Sequence, residues 1–366
     1  MRINRIALNG FRNYDFETAD FSPGTNVIYG ENAQGKTNLL ESVYMLAMGR
    51  SFRTRLDREL IGFGCDSAEI LADVVSHGRE QTVRILLRSG VRKQITVNSV
   101  KKTASELGET LNVVLFCPDD LNLIKEGAAA RRRLMDNAIS QIRPRYAEYL
   151  SQFNKFYESK TRILKDWREK PSLLDTLDEF SDGMCRSSAQ LIRYRASFAA
   201  RLADEAAPIH SEFSGADEKL GIEYSTVSAV KDPTASAKEI FYDLCDHMEA
   251  HRRAELDSGQ CLSGAHKDDL IISINGKNAR SFASQGQTRT AALSIKLAER
   301  EIYLDETGEY PILLLDDVLS ELDTKRQEFV LNRIGGGQTL ITCCEDEGIS
   351  RRTGGKVLHV ANGRIG

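Results

Sequence analysis

Gly30-Glu31-Asn32-Ala33-Gln34-Gly35-Lys36-Thr37 follows directly on the apolar segment Asn26-Val27-Ile28-Tyr29. In a Gly-x-x-x-x-Gly-Lys-Thr loop the glycines let successive backbone N–H groups converge on an anion. The Lys side chain reaches the terminal phosphates, and the Thr hydroxyl completes the shell of a Mg²⁺ ion. The helix that follows adds its positive N-terminal end. Leu39, Leu40, Val43, Leu46 and Ala47 recur at i, i+3, i+4, i+7 spacing, which predicts that helix with one buried face. A Gly-rich turn that binds nothing is the bland alternative, and the strand before and helix after argue against it.

A second half of such a site lies far downstream. Pro311-Ile312-Leu313-Leu314-Leu315-Asp316-Asp317 reads as a buried strand ending in two carboxylates. Asp316 at the strand end is placed to hold Mg²⁺, and Asp317, one residue on, to polarise the attacking water. Taken alone the dipeptide is equally an ordinary acidic turn. Coupled to the loop it is a Walker B pattern, and Lys36, Asp316 and Asp317 become the candidate catalytic residues. Almost the whole chain separates the motifs. A compact kinase or small GTPase cannot accommodate that, whereas a sheet interrupted by an insertion can.

Up to about residue 120 the pattern is mainly β, with strands expected at Arg2 to Leu8, Asn26 to Tyr29, Glu69 to Val75, Thr82 to Leu87, Gln94 to Val97 and Val113 to Phe116. Ser89-Gly90 is read as a hairpin turn. From about residue 129 the texture turns helical and highly charged, with helices expected over Tyr146 to Trp167 and Leu173 to Ala206, broken at Pro171 and paired antiparallel. Helices of this size span roughly 30 to 45 Å, a short arm or an ordinary helical subdomain. An α/β pattern then resumes: Leu270 to Ile274, a turn at Asn275-Gly276-Lys277, a helix over Thr288 to Leu304, and strands at Ile312 to Leu315, Leu340 to Thr342 and Val357 to Val360. The expected division is a head formed by 1–128 plus 255–366 and a helical insertion over 129–254.

With 41% hydrophobic and 28% charged residues over 366 positions the composition suits a globular protein of two domains. No window approaches the roughly 18 apolar residues of a membrane span, and Met1-Arg2-Ile3-Asn4-Arg5 lacks a signal-peptide core, so a cytoplasmic location is expected. Seven scattered cysteines, none in C-x-x-C spacing, speak against zinc or a disulfide framework and suggest mostly buried thiols. The net charge of −4 means that any nucleic-acid surface must be local. Candidate clusters are Arg50, Arg53, Arg55 and Arg58, then Lys101 and Lys102, then Arg131, Arg132 and Arg133. Each is equally readable as a solvated face.

Ser284-Gln285-Gly286-Gln287, before the Thr288 helix, is on its own a helix N-cap. The ordered set of phosphate loop, Ser-Gln-Gly-Gln, Leu-Leu-Asp-Asp and Ser320-Glu321-Leu322-Asp323 resembles the ABC-type P-loop ATPase heads of the SMC/Rad50 class. The fold expected from it is such a head with an inserted helical arm subdomain. By that resemblance Ser284 to Gln287 form the signature motif acting in trans, and Ser320 and Asp323 belong to the D-loop. Further stretches narrow the likeness: Phe11-Arg12-Asn13-Tyr14, Gly49-Arg50-Ser51-Phe52-Arg53, Phe116-Cys117-Pro118-Asp119-Asp120-Leu121, Arg131-Arg132-Arg133 with Asp136, and Gly264-Ala265-His266-Lys267-Asp268-Asp269-Leu270. Together they resemble the RecF family of bacterial recombination mediators over nearly the whole chain. Two departures stand out. Asp317 occupies a position where many ABC heads carry Glu, although RecF-like proteins share the Asp. Ala265 stands where the family usually has Pro.

The resemblance implies an ATP-dependent homodimer that binds DNA at gaps or stalled replication sites, whether single-stranded, duplex or their junction. It implies cooperation with RecR and RecO in placing RecA on strands coated by SSB, and Arg12 and Asn13 as contacts to nucleotide phosphates. A weak, DNA-dependent ATPase using ATP and Mg²⁺ follows as the expected activity, in which binding and switching dominate. The shorter Asp317 fits slow turnover, because misplacement by about 1 Å can cost on the order of 10²-fold. Two other readings stay open: a transporter-type subunit energising a membrane partner, and an ATP-binding scaffold without turnover. The signature lacks a Leu-Ser-Gly-Gly run and the arm is long, which disfavours the transporter.

Overall fold

A computed structural model describes residues 1–344 and 348–366. It divides into two compact units, Met1–Asn122 with Arg289–Gly366, and Leu123–Thr288.

The first unit holds two six-stranded sheets. In one, strands run in the order Arg364–Ile365, Lys356–Ala361, Thr25–Tyr29, Thr339–Cys343, Ile312–Asp316 and Val113–Phe116, parallel except at the Arg364–Ile365 edge. Its central strands Thr339–Cys343 and Ile312–Asp316 are buried along their whole length, because both faces are covered. The other sheet is antiparallel and built on Arg2–Phe11 and Ser67–Ser76. There Ala68, Ile70, Ala72 and Val74 point inward at period two. The expected Ser89-Gly90 hairpin closes with Arg88 paired to Val91. Two more hairpins turn at His77-Gly78 and Asn98-Ser99, with both central residues of each at positive φ, the geometry whose twist matches flanking strands. The edge strand Tyr14–Asp20 escapes a pattern reading, since Asp15-Phe16-Glu17-Thr18 shows no inward alternation.

The helix Lys36–Met48 contacts strands of both sheets, and every residue from Leu39 to Met48 is buried. The sequence predicted one buried face. The sandwich buries the other as well, so Glu41, Ser42 and Tyr44 join Val43 and Leu46 inside. Gly49 ends the helix in the left-handed conformation, its N–H donating to Met45 O.

The second unit is mostly helical. Helices Pro144–Asp166 and Leu177–Ser214 pack along each other across the turn Pro171–Thr176. At Gly183 an added Cβ would lie 2.5 Å from the Phe156 ring, so a larger residue would require that half-buried ring to move. The 38-residue helix continues through Pro208, where the sequence suggested a stop; packing on one face outweighs the one hydrogen bond a proline removes. Helices Ala128–Ile142, Ala237–Ala250 and Arg252–Ser258, and a small sheet in the order Lys277–Asn278, Asp269–Ile274 and Leu220–Ser225, complete it.

The boundaries expected from sequence need correction. Asp269–Ile274 pairs along its length with Leu220–Ser225, and Asp268 is ion-paired to Arg195 of the long helix. Residues 255–288 therefore belong to the second unit, which also takes in 123–128, and Ser284 to Gln287 lie there and not in the 1–122 unit. The cysteines also differ from expectation. All seven are free, but only Cys185, Cys261 and Cys343 are buried, while Cys65 and Cys344 are exposed. Among the described residues no helix is long and apolar enough to cross a membrane.

Candidate nucleotide site

The Gly30 to Thr37 loop joins the strand Thr25–Tyr29 to the buried helix. Gly30 has φ 153°, and a Cβ there would stand 2.1 Å from Val360 O of the neighbouring strand. Ala33 and Gly35 also have positive φ, at 64° and 125°. Among the described residues no hydrogen-bond acceptor takes the N–H groups of Ala33, Gln34 and Gly35. Unpaired donors at a helix N-terminus form an anion site. Lys36 is buried, and its Nζ donates to Gly30 O at 2.5 Å and Glu31 O at 2.8 Å, so the ammonium lies back against its own loop.

The acidic strand meets this loop directly. Thr37 Oγ1 donates to Asp316 Oδ1 at 2.9 Å, closing a sequence gap of 279 residues. Thr342, on the neighbouring strand, donates to the same Oδ1 at 2.9 Å and accepts from Asp317 N at 2.8 Å. One hydroxyl thus positions both acidic residues, a role the sequence reading missed; the only signal was a polar residue in an apolar strand. Burial pushes the Asp316 carboxyl above its ordinary value, and the two threonine donors oppose that. Asp317 sits at φ 52°, unusual for a residue with a side chain, and Ser320 Oγ donates to its carbonyl at 2.7 Å. Thr37 and Asp316 supply two hard oxygens at one point. That suits Mg²⁺, which keeps waters and phosphate oxygens in its octahedron and needs few protein ligands.

A strap crosses the loop. Asn13 Nδ2 donates to Gln34 O at 2.8 Å, and Tyr14 OH to Gly35 O at 3.0 Å. Burial raises the Tyr14 phenol pKa, so it stays a donor. Arg12, expected on phosphate, is anchored by protein: Nε and Nη2 both reach Glu41 at 2.8 Å, and Nη1 reaches Glu59 O at 2.8 Å. The turn before the last strand adds a third clamp, Asn362 N donating to Gln34 Oε1 at 2.5 Å and Gly363 N to Gln34 O at 3.0 Å.

In the second unit, Ser284 and Gln287 form a reciprocal capping box. Ser284 N donates to Gln287 Oε1 at 2.8 Å, and Gln287 N to Ser284 Oγ at 3.2 Å. Gln287 also donates to Glu218 at 2.7 Å. Ser284 and Gln285 are exposed at the start of the helix Gln285–Thr307. In the D-loop stretch, Asp323 caps the helix Thr324–Arg333 and pairs with Arg326, while Ser320 reaches back to Asp317.

The basic candidates separate by burial. Arg50, Arg53, Arg55, Arg58, Lys101 and Arg133 are exposed. Arg53 already donates to Asn38 Oδ1 at 2.8 Å, and Lys102 pairs with Glu106 at 3.0 Å. Arg131 is a correction: its side chain is 4% exposed, its fork holds Asp269 at 2.7 and 2.9 Å, and Nη1 donates to Glu126 O. Arg132 donates to Asp268 O at 2.7 Å. Arg131, whose donors are spent inside the fold, cannot track a phosphate backbone, whereas Arg132 is half-buried and Arg133 exposed.

The chain matches the model of the RecF/RecN/SMC N-terminal domain over residues 2–360. It is 40% identical over 362 residues to the DNA replication and repair protein RecF of Acetivibrio thermocellus, covering 98% of each chain. To the protein of that name in Listeria monocytogenes it is 41% identical over 360 residues, covering 96% of this chain and 95% of the relative. Among solved structures it superposes on the recombination mediator protein RecF-ATPrS in the RecFOR pathway with a TM-score of 0.92 at 34% identity, covering 100% of this chain and 97% of the other. The corresponding RecF-ATP structure gives 0.90 at 34% identity, covering 100% and 96%. The Smc head of Pyrococcus furiosus, at TM-score 0.57, 17% identity and coverage of 99% and 94%, shares the fold. This chain belongs to the RecF family of DNA replication and repair proteins.

Proposed function

We propose that the chain is an ATP-dependent DNA-binding ATPase of recombinational repair and replication restart. The observation that carries this reading is the Thr37–Asp316 hydrogen bond, which brings the phosphate loop and the acidic strand to one point. ATP lies along Gly30 to Thr37, with Lys36 turning from the loop carbonyls to the terminal phosphates and Asn13 beside them. Mg²⁺ is held by Thr37 and Asp316, and Asp317 polarises the attacking water. The short carboxylate at 317 makes turnover slow. Relatives solved with ATP and ATPrS support the ligand.

The site is completed by a second copy, whose Ser284 to Gln287 cover the nucleotide; Ser320 and Asp323 form the D-loop. ATP is then part of the interface, so its binding is linked to association and its hydrolysis to release. DNA is held through its phosphates by Arg50, Arg53, Arg55 and Arg133, without base readout. The protein acts in the cytoplasm with RecR and RecO, in the SOS response and at gapped DNA, to help load RecA. Size-exclusion chromatography with and without ATP tests the composite site: wild type shifts from monomer to dimer, and Ser284→Arg stays monomeric. A Ser284→Arg protein that dimerises normally sinks it. Steady-state phosphate release, with Lys36→Met as the inactive control, separates an ATPase from a scaffold without turnover.

A further inference from the structure

Glu41 lies on the buried helix behind the phosphate loop, its side chain 0% exposed, and the nucleotide mechanism above makes no use of it. A carboxylate without water must be compensated by protein. Arg12 supplies a bidentate fork at 2.8 Å to both oxygens, Ser51 Oγ donates to Oε1, and Arg53 Nη1 stands 3.6 Å from Oε2. The third arm of the Arg12 fork goes to Glu59 O, and its backbone N–H to Leu60 O at 2.8 Å. Arg12 is therefore fixed from both main chain and side chain, at φ 56°, a conformation costly for a residue with a Cβ.

What this fixes is the start of the strap. The two residues after Arg12 are those that grip the loop, Asn13 at Gln34 O and Tyr14 at Gly35 O. Asn13 Oδ1 also accepts from Asn38 Nδ2 at 2.8 Å, tying the strap to the first turn of the helix. Nη1 and Nη2 of Arg12 each carry a second N–H beyond the bonds named, so the Glu41 brace holds whether or not Arg12 also reaches a phosphate. We infer that Glu41 is a positioning residue for the nucleotide site: through Arg12 it holds the Asn13-Tyr14 strap on the phosphate loop. The inference rests on the ATP-binding reading of the loop.

The test is ATP affinity by calorimetry together with steady-state kcat and KM, on full-length wild type, Glu41→Gln, Arg12→Gln, the double variant and Tyr14→Phe. Glu41→Gln and Arg12→Gln each weaken ATP binding and raise KM by about 10-fold, with kcat within about 2-fold of wild type. The double variant is no worse than either single change, since the two residues act as one unit. Tyr14→Phe, which removes one hydroxyl and no charge, weakens binding by about 3-fold to 5-fold. A folded Glu41→Gln protein with wild-type affinity overturns the inference. So does a double variant whose losses multiply, because the two residues would then act separately. Should the Glu41 variants fail to fold, wild-type affinity in Tyr14→Phe overturns it by showing that the strap does not hold the loop. Wild type that binds no ATP brings down the ATPase reading and this inference with it, whereas a binding wild type with unaffected variants brings down the inference alone.

Discussion

Two Asp-Asp dipeptides in this chain look alike in sequence and do opposite work. Asp316-Asp317 ends an apolar strand in the first unit; Asp268-Asp269 begins one in the second. Asp268 is wholly buried, and it accepts from Arg195 Nη1, Tyr224 OH and Thr226 Oγ1, each at 2.6 Å. Asp269 takes both arms of Arg131. Arg195 is shared further with Asp136, Tyr146 and Ala265 O. Both oxygens of Asp268 and all three nitrogens of Arg195 are engaged by protein. Around Asp316 the hydroxyls of Thr37 and Thr342 converge on Oδ1, and Oδ2 has no hydrogen-bond partner among the described residues. The satisfied pair is a brace that fixes helices to strand. The other leaves Oδ2 open, as the proposed metal role of Asp316 requires. Burial and saturation, not residue type, distinguish scaffold from chemistry.

The sharpest way to break the contrast is Asp268→Ala, which leaves the Arg195 charge buried beside Asp136 alone. A loss of about 3–5 kcal/mol in denaturant-induced unfolding is expected, and a loss below about 1 kcal/mol would erase the distinction. Next comes pH. His266 is pushed down to about 4 from 6.5, chiefly by burial. A proton is then bound by the unfolded chain and not by the folded one between those values. Stability contributed by neutral His266 is present above about pH 6.5 and lost as pH falls toward 4, by about 3 kcal/mol in total. His266→Gln should flatten that part of the stability profile in thermal melts across pH 4 to 7.

On the chemical side, Asp316→Asn should lower ATP turnover by on the order of 10²-fold, equivalent to about 2.7 kcal/mol. Its unfolding midpoint should move by less than about 1 kcal/mol, since no ion pair is broken. A variant that unfolds instead would place Asp316 with Asp268 as scaffold. The smallest effect belongs to Arg133→Ala. It should reduce the salt dependence of DNA binding by roughly one counterion, with little change in stability. Arg131→Ala, by contrast, should cost stability first.

Much of the first unit was legible because its signals are local. The phosphate loop has fixed spacing, the strands Thr25–Tyr29 and Ile312–Asp316 are apolar runs, and Ser89-Gly90 turns a hairpin. What escaped was set by partners distant in sequence. The unit boundary moved because Asp269–Ile274 found its neighbour at Leu220–Ser225. Arg131 looked like a surface charge until Asp269, 138 positions away, claimed it. No local pattern pairs Arg12 with Glu41, 29 positions away. Thr342 gave no motif, because its role exists only where two adjacent strands end together.

The sequence by itself determined that a Walker-type loop and an acid-ended apolar strand are present, since both depend on short-range geometry that a few adjacent residues impose: glycine torsions, a helix start, an apolar run closed by Asp316. Only the tertiary structure decided which charges are free to act. A guanidinium or carboxylate is committed or available according to what the fold packs against it, and desolvation makes that choice costly to reverse.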